Sequence, residues 1–450
     1  VTTHLTHKSQ LIEYLRKGCK PPTEWRIGTE HEKFLLQKDT FKRFPYGGEV
    51  SISRIFKELK EHGWQPVLEK DQIIALKMPH QRVAITLEPG GQFELSGAPV
   101  ATLHDTKLEL ETHLTLIRNI LNSLGGVILP VGTDPLWSRE EIPWVPKERY
   151  QLMGNYMPTK GNLGLDMMLR TCTVQVNLDF ESEADMVAKM RVGMALQPLA
   201  TALFACSPFL EGKLTGYQSY RAHIWQDTDP DRCGILPFVF QEGMGFERYV
   251  DYLLDVPMYF VYRNGSYINA LGQSFRHFMD GRLTALPGKY PTMKDWSDQT
   301  TIAFPEVRLK RFLEMRGADC GPQEMMVALP AFWVGLLYDS IALDEALQLT
   351  RNWTVEEIIN LHAQTPRQGL VATIENRTLQ TIAQETLAIC ARGLQRRAKM
   401  LGSHDESVYL APLFQIADSG RTLASKMIEL YNETGSVESV VRRYAHLTGI

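Results

Sequence analysis

Cysteine is scarce and scattered: the 450 residues hold six, Cys19, Cys172, Cys206, Cys233, Cys320 and Cys390, with no C-x-x-C pair. A disulfide-built secreted scaffold is denser and a structural zinc site shows paired ligands, so these read as reduced thiols. None of the twelve histidines forms an H-E-x-x-H pair. The short phosphate-binding loops are missing too. There is no G-x-x-x-x-G-K-[ST], and Gly243-Met244-Gly245 lacks the third glycine of a dinucleotide fingerprint, so ATP can be handled here only without a P-loop. Neither sign of charge dominates, with 48 Lys plus Arg against 52 Asp plus Glu and a net charge of −4. That excludes a general basic field for nucleic acid or an anionic membrane, and a phosphate-bearing ligand must be small and held by a local cationic cluster. The longest uncharged run, Val192 to Leu210, carries Gln197, Pro198, Thr201, Ser207 and Pro208, which predicts a buried helix rather than a membrane span. The opening VTTHLTHKSQ has neither an apolar signal core nor a basic, acid-poor character, so the expected location is cytoplasmic.

What is present is an ordinary globular mixture, 44% hydrophobic and 22% charged, ample for a large core. Strand-like and helix-like stretches alternate over the first 335 residues, separated by turns such as Pro45-Tyr46-Gly47-Gly48, Pro89-Gly90-Gly91 and Leu286-Pro287-Gly288. Helices are predicted over Asp105 to Leu124 and Glu183 to Cys206, the second capped at Ser182 and kinked at Pro198. Further helices are predicted over Val355–His362, Thr373–Met400, Arg421–Tyr431 and Val437–Leu447. No linker or repeat cuts the chain. The pattern predicts a single α+β catalytic domain over 1–450, with 340–450 as a helical C-terminal layer packed on it.

Four strand-like segments are wrong for a plain core. In Trp25–Phe34, period two puts Glu30 and Glu32 on one face and Ile27, Thr29 and His31 on the other. Taken alone, that segment fits a solvated edge strand. In Thr86–Gly97, Gln92 and Glu94 share a face, and Glu88 precedes a Pro-Gly-Gly break that is either a re-aiming bend or a simple hairpin turn. Thr171–Phe180 alternates cleanly, Thr171, Thr173, Gln175, Asn177 and Asp179 making a nearly uncharged polar face suited to a pocket floor. In Phe304–Asp319, a strand places Arg308, Lys310, Phe312, Glu314 and Arg316 together, whereas a helix pairs Glu306 with Lys310 on a solvated surface. Arg149 and Arg221 add two cations, each by itself an ordinary surface arginine. Many oxygens, several guanidiniums and no soft ligands point towards Mg²⁺ and a phosphorylated or multiply anionic substrate.

At these residues the chain resembles the plant-type glutamate–cysteine ligases. The likeness lies in Trp25–Phe34, Leu87–Gly97, Gly164–Asn177, Asp255–Phe260, Pro305–Arg311 and Ala328–Tyr338, in order over roughly residues 20 to 340. The resemblance implies a glutamine-synthetase-like fold, a curved antiparallel sheet forming an active-site funnel surrounded by helices. It implies ATP-dependent ligation of the L-glutamate γ-carboxylate to the L-cysteine amine through a γ-glutamyl phosphate, the first step of glutathione biosynthesis. It maps two or three Mg²⁺ onto Glu30, Glu32, Glu88, Glu94 and Glu314, with Glu94, Glu314 and the phosphate-facing Arg316 as the catalytic set. Arg221 falls on the glutamate α-carboxylate, Arg149 and Tyr259 on the cysteine side, and Gln175 and Asn177 beside the acids. The implied partners are L-glutamate, L-cysteine and ATP, with room for a homodimer and no role for nucleic acid or membrane. Plant members carry a regulatory cysteine pair; the matching positions hold Ala270 and Ala285, so that switch is not expected here.

Overall fold

The computed structural model describes residues 4–446. Nine strands form the main sheet: β1 (Ile27–Gln37), β2 (Gln65–Glu69), β3 (Gln72–Lys77), β4 (Ala84–Leu87), β5 (Phe93–Ser96), β6 (Gly126–Leu129), β7 (Thr173–Leu178), β8 (Val307–Leu309) and β9 (Leu313–Asp319). Their order is β8-β9-β7-β1-β5-β4-β3-β2, with β6 pairing the far end of β1, and every one of these pairings is antiparallel. The α+β reading with a central antiparallel sheet holds. β1 is not the solvated edge strand that its charges alone suggested, since it lies between β7 and β5.

Alternation divides the sheet. Val174, Val176, Leu178, Phe93, Leu95, Val307 and Met315 are all buried on one face, and fully burying such a side chain stabilises by about 1.5–3 kcal/mol. Helix α1 (Leu103–Ser123) packs on β1 and β6. Of the other helices used below, α2 is Glu148–Tyr156, α3 Glu183–Leu203, α4 Tyr220–Gln226, α5 Gln323–Leu337, α6 Val355–Gln368 and α7 Leu379–Leu401. α3 packs on β8 and β9, and α5 on β1 and β7. Gly193 of α3 lies against Val307 and Met315, where a Cβ would sit 3.1 and 3.2 Å from their side chains. Caps match the sequence: Thr102 and Asp105 form a capping box for α1, and the Ser182 side chain accepts from the Asp185 N–H at the start of α3. α3 runs on through Pro198 and is buried from Val192 to Leu203.

Two predicted elements differ. Phe304–Asp319 is neither one strand nor a helix but a tight hairpin, with β8 and β9 joined through Lys310–Phe312 and Arg308 opposite Glu314. The predicted helix from Thr373 begins instead as a two-stranded hairpin, Thr373–Ile374 with Arg377–Thr378, turned by Glu375 and Asn376 at positive φ, and α7 starts only at Leu379. Helix α7 packs against α5, and α6 against α3 and α4. Among the described residues no single helix is long and apolar enough to cross a membrane.

Candidate active site

Strand register gathers the acids. Glu32 of β1 stands directly opposite Glu94 of β5, and Glu30 stands opposite Gln175 of β7 on one side and Ser96 on the other. Asn177 is opposite Gly28 and Glu314. Residues facing each other across an antiparallel pair share a face with Cβ atoms about 5 Å apart, so these side chains line one polar surface. Glu88 joins them from the β4–β5 loop, which is a hairpin: the Glu88 N–H donates to Gln92 O (3.0 Å) and Gly91 adopts φ +77°. Gly90 is required there, because a Cβ would lie 2.3 Å from Leu169 O.

The acids are held by neutral donors. Thr86 Oγ1 donates to Glu94 Oε2 (2.5 Å), Ser96 Oγ to Glu94 Oε1 (3.0 Å), Asn177 Nδ2 to Glu30 Oε1 (2.7 Å) and the Thr173 N–H to Glu32 Oε2 (2.9 Å). Among the described residues, Glu30, Glu32, Glu88 and Glu94 have no Lys or Arg within ion-pair distance. Burial, then Glu314 and Glu94, push the Glu30 carboxyl up to about 7. Burial with Glu88 and Glu94 pushes Glu32 well up, and burial with Glu88 raises Glu94. This is a patch of oxygen donors whose nearest cations, Lys310, Arg221 and Lys147, act from beyond ion-pair distance.

Glu314 is different. Arg308 Nη2 (2.6 Å), Lys310 Nζ (3.2 Å) and Arg316 Nη1 (2.8 Å) surround it. Burial raises its pKa, but the three cations outweigh burial and hold the carboxyl well below the usual range. Its charge is already answered, so as a metal ligand it is unlike the other four, and its evident work is to place Arg316. That arginine also donates to Gln175 Oε1 (3.1 Å). It rides on a bulge between Met315 and Ala318, pinned by Thr173 Oγ1 to Ala318 O (2.8 Å) and Arg221 Nη2 to Arg316 O (2.9 Å).

Arg221, at the start of α4, is buried against Asp319, Glu32 and Glu306 with its Nε unpartnered. Arg316, Arg221, Trp225, Phe304, Glu306 and Gly317 line one pocket beside the acids. Arg149 on α2 lies farther out, over the rings of Tyr150 and Phe260. Tyr259 is not brought to the acids: it is fully buried, its hydroxyl against Met157 Sδ (4.0 Å) and its ring under the Arg232 guanidinium.

Four contributors have no site role legible in the sequence. Lys147 is buried beside Glu88 and Glu94, donating to Leu87 O (2.8 Å) and Tyr150 Oη (3.2 Å), and burial brings it down to about 8. Glu306 and Trp225 line the pocket, and His362 reaches Glu306 from the C-terminal helix α6 at 2.7 Å. No spacing could mark His362, since its partner lies 56 residues away on another element.

A family model described as glutamate–cysteine ligase family 2 matches residues 26–443. The chain belongs to that family. It is similar to chloroplastic glutamate–cysteine ligases of Nicotiana tabacum, 51% identical over 94% of this chain and 80% of that one, and of Brassica juncea, 50% identical over 96% and 82%. A solved glutamate–cysteine ligase from Francisella tularensis, in complex with AMP, shares the fold at TM-score 0.55 and 12% identity, covering 95% of this chain and 89% of that one. The expectation of a cytoplasmic protein is overturned by the plant relatives, both of which are chloroplastic. A leader is read by receptors and removed, so the character of a chain's first ten residues is a poor guide to location.

Among the described residues no three or more His, Cys, Asp or Glu side chains are arranged to hold a metal ion as they stand. The donor chemistry nonetheless suits a hard divalent cation: Glu30, Glu32, Glu88 and Glu94 offer only oxygens, repel one another and, among the described residues, have no lysine or arginine within ion-pair distance. Cys172 and Cys320 do not compete as soft ligands; both are buried, and burial raises both thiols.

Proposed function

We propose that the chain performs its family's reaction, joining the γ-carboxylate of L-glutamate to the amine of L-cysteine with ATP, through a γ-glutamyl phosphate. The observation that carries this reading is one sheet face on which Glu30, Glu32 and Glu94, joined by Glu88 from the β4–β5 loop, make no ion pair among the described residues and adjoin a pocket lined by two arginines. Glu30, Glu32, Glu88 and Glu94 would hold Mg²⁺, which would supply neutralisation of the phosphate charge. Small hard ions of this kind use one or two carboxylates each and complete their shell with substrate phosphates and water. Arg316, fixed by Glu314 and Gln175, faces the transferring phosphoryl group and stabilises its equatorial oxygens. Arg221 takes the substrate α-carboxylate. The cysteine amine then attacks the acyl carbon, phosphate leaves with the bonding pair, and the amine gives up its proton. Arg149 lines the cysteine side, and Asn177 keeps Glu30 in place.

The test is ADP release with Mg²⁺ and ATP, omitting glutamate and cysteine in turn, with mass spectrometry of the product. ADP that depends on both amino acids, with γ-glutamylcysteine formed, is the expected result; ADP released without amide formation would mean a kinase-like reaction instead. Arg221→Ala should raise the glutamate KM roughly tenfold to a hundredfold, the usual cost of a charged hydrogen bond, with cysteine KM little changed. Loss of cysteine affinity instead would place Arg221 on the other substrate.

The raised acids also fix a sign. A carboxyl whose folded pKa is about 7 against an ordinary 4.5 favours the folded state while it is protonated. Its stabilising effect is full below 4.5 and is lost as pH rises through about 7. Metal-free protein should therefore melt lower at pH 8 than at pH 5.5, and added Mg²⁺ should recover more stability at the higher pH. Equal Mg²⁺ stabilisation at both pH values would remove these acids from the metal site.

A further inference from the structure

The pocket beside the acids offers donors and one acceptor. Arg221 Nε and Trp225 Nε1 are buried without a partner, and both side chains line it. Glu306, half-buried, lines it from just before β8. One of its oxygens, Oε1, is 2.7 Å from His362 Nε2. The other, Oε2, has no hydrogen-bond partner among the described residues. It sits over Gly317 beside the unpartnered Gln197 Nε2, where a Cβ would come within 2.4 and 2.3 Å of the two, so only glycine leaves room for both. A plain counter-ion for the arginines would touch them. Among the described residues Glu306 makes no ion pair with Arg221 or Arg316, and its one side-chain hydrogen-bond partner is His362. Burial raises its pKa, but the His362 hydrogen bond and the fields of Arg221 and Arg316 outweigh that and hold it ionised.

A zwitterionic amino acid needs this pairing: cationic donors for its carboxylate and a fixed anion for its ammonium. We propose that Glu306 receives the α-ammonium of the donor amino acid through Oε2, and that His362 is a positioning residue that holds Oε1. The carbonyl of His362 accepts from Gln226 Nε2 of α4 (2.6 Å), so the helix that carries Arg221 and the helix that carries His362 are tied together. The C-terminal helical layer thus completes the recognition of the donor substrate. This rests on the ligase reading and adds to it the group that reads the α-amino end.

The experiment compares L-glutamate with glutarate, which keeps both carboxylates and lacks the ammonium, at saturating ATP and cysteine. Wild type should strongly prefer L-glutamate. Glu306→Gln should raise the glutamate KM at least about tenfold while leaving glutarate nearly unchanged, so that discrimination collapses, because an unpaired buried polar group is what rejects the wrong ligand. His362→Ala should move glutamate KM the same way with less effect on kcat, and His362→Gln, which keeps an N–H towards Oε1, should restore it. Unchanged glutamate KM and unchanged discrimination in Glu306→Gln overturn the proposal. If that variant does not fold, the half-buried His362 pair decides alone: no difference between Ala and Gln overturns it. A wild type that makes no γ-glutamylcysteine sinks the ligase reading and this inference together. A wild type that makes it, with indifferent variants, sinks only the inference.

Discussion

Glu94→Gln is expected to raise the melting temperature of the unliganded protein and to cut turnover by roughly 10²–10³ or more, the cost of losing one preorganised charge-stabilising group. Both effects come from one register pair. Glu94 faces Glu32 directly across β1 and β5, with Glu88 close by, and among the described residues no lysine or arginine lies within ion-pair distance of them, Lys147 and Arg221 acting only from farther off. Like charges directly opposite in a sheet are destabilising. Removing one relieves the other while keeping the size of the side chain and an acceptor for one of Thr86 and Ser96, the other hydroxyl turning to accept from the new amide. Calorimetry in chelator, alongside steady-state kinetics, checks the two signs together. A lower melting temperature with lost activity would mean that Glu94 is a structural acceptor, and wild-type turnover would remove it from the site.

Glu314→Gln should do the opposite to stability while also abolishing turnover. Its carboxylate is fully buried among Arg308, Lys310 and Arg316. Taking away one member of such a buried set strands the rest, at a cost of about 3–5 kcal/mol. The urea midpoint should fall with little change in slope. The pH dependence has a definite sign. A carboxyl held below its ordinary 4.5 contributes fully above that value and loses its contribution only as pH falls through its lower folded pKa. The wild-type and variant stability curves should therefore stay apart above pH 4.5 and converge only in strong acid. Equal stability at neutral pH would show that the three cations are satisfied without it.

These paired predictions separate two classes of acid that look alike in the sequence. Glu30, Glu32, Glu88, Glu94 and Glu314 are five glutamates in strand-like segments, and the family likeness groups them as ligands. Their surroundings divide them, four without an ion pair among the described residues and one held by three cations of its own hairpin. The same holds for the arginines: Arg316 is built into the acid surface, whereas Arg149 sits over aromatic rings outside it. Tyr259 was placed by likeness alone, and its burial under Arg232 keeps it from the acids.

The sequence by itself determined the class of the fold, the strands that carry the chemistry and the faces of those strands. Alternation is a local property: a period of two puts Glu30 with Glu32, or Gln175 with Asn177, whatever the rest of the chain does. Caps are local as well, which is why Ser182 was legible as a helix start. The tertiary structure decided the register, and register decided the electrostatics. Whether Glu32 meets a glutamate or an arginine depends on which strand lies beside β1 and at what offset, and no single segment contains that information. The pairing of β9 with β7 that sets the bulge at Gly317 and the reach of His362 from a distant helix are long-range contacts, whereas the hairpin that folds Arg308 back onto Glu314 is local but needs a turn that the pattern of charges did not mark. The two long-range contacts are fixed by the packing of the whole chain against the sheet's buried face, and so neither was visible along the sequence.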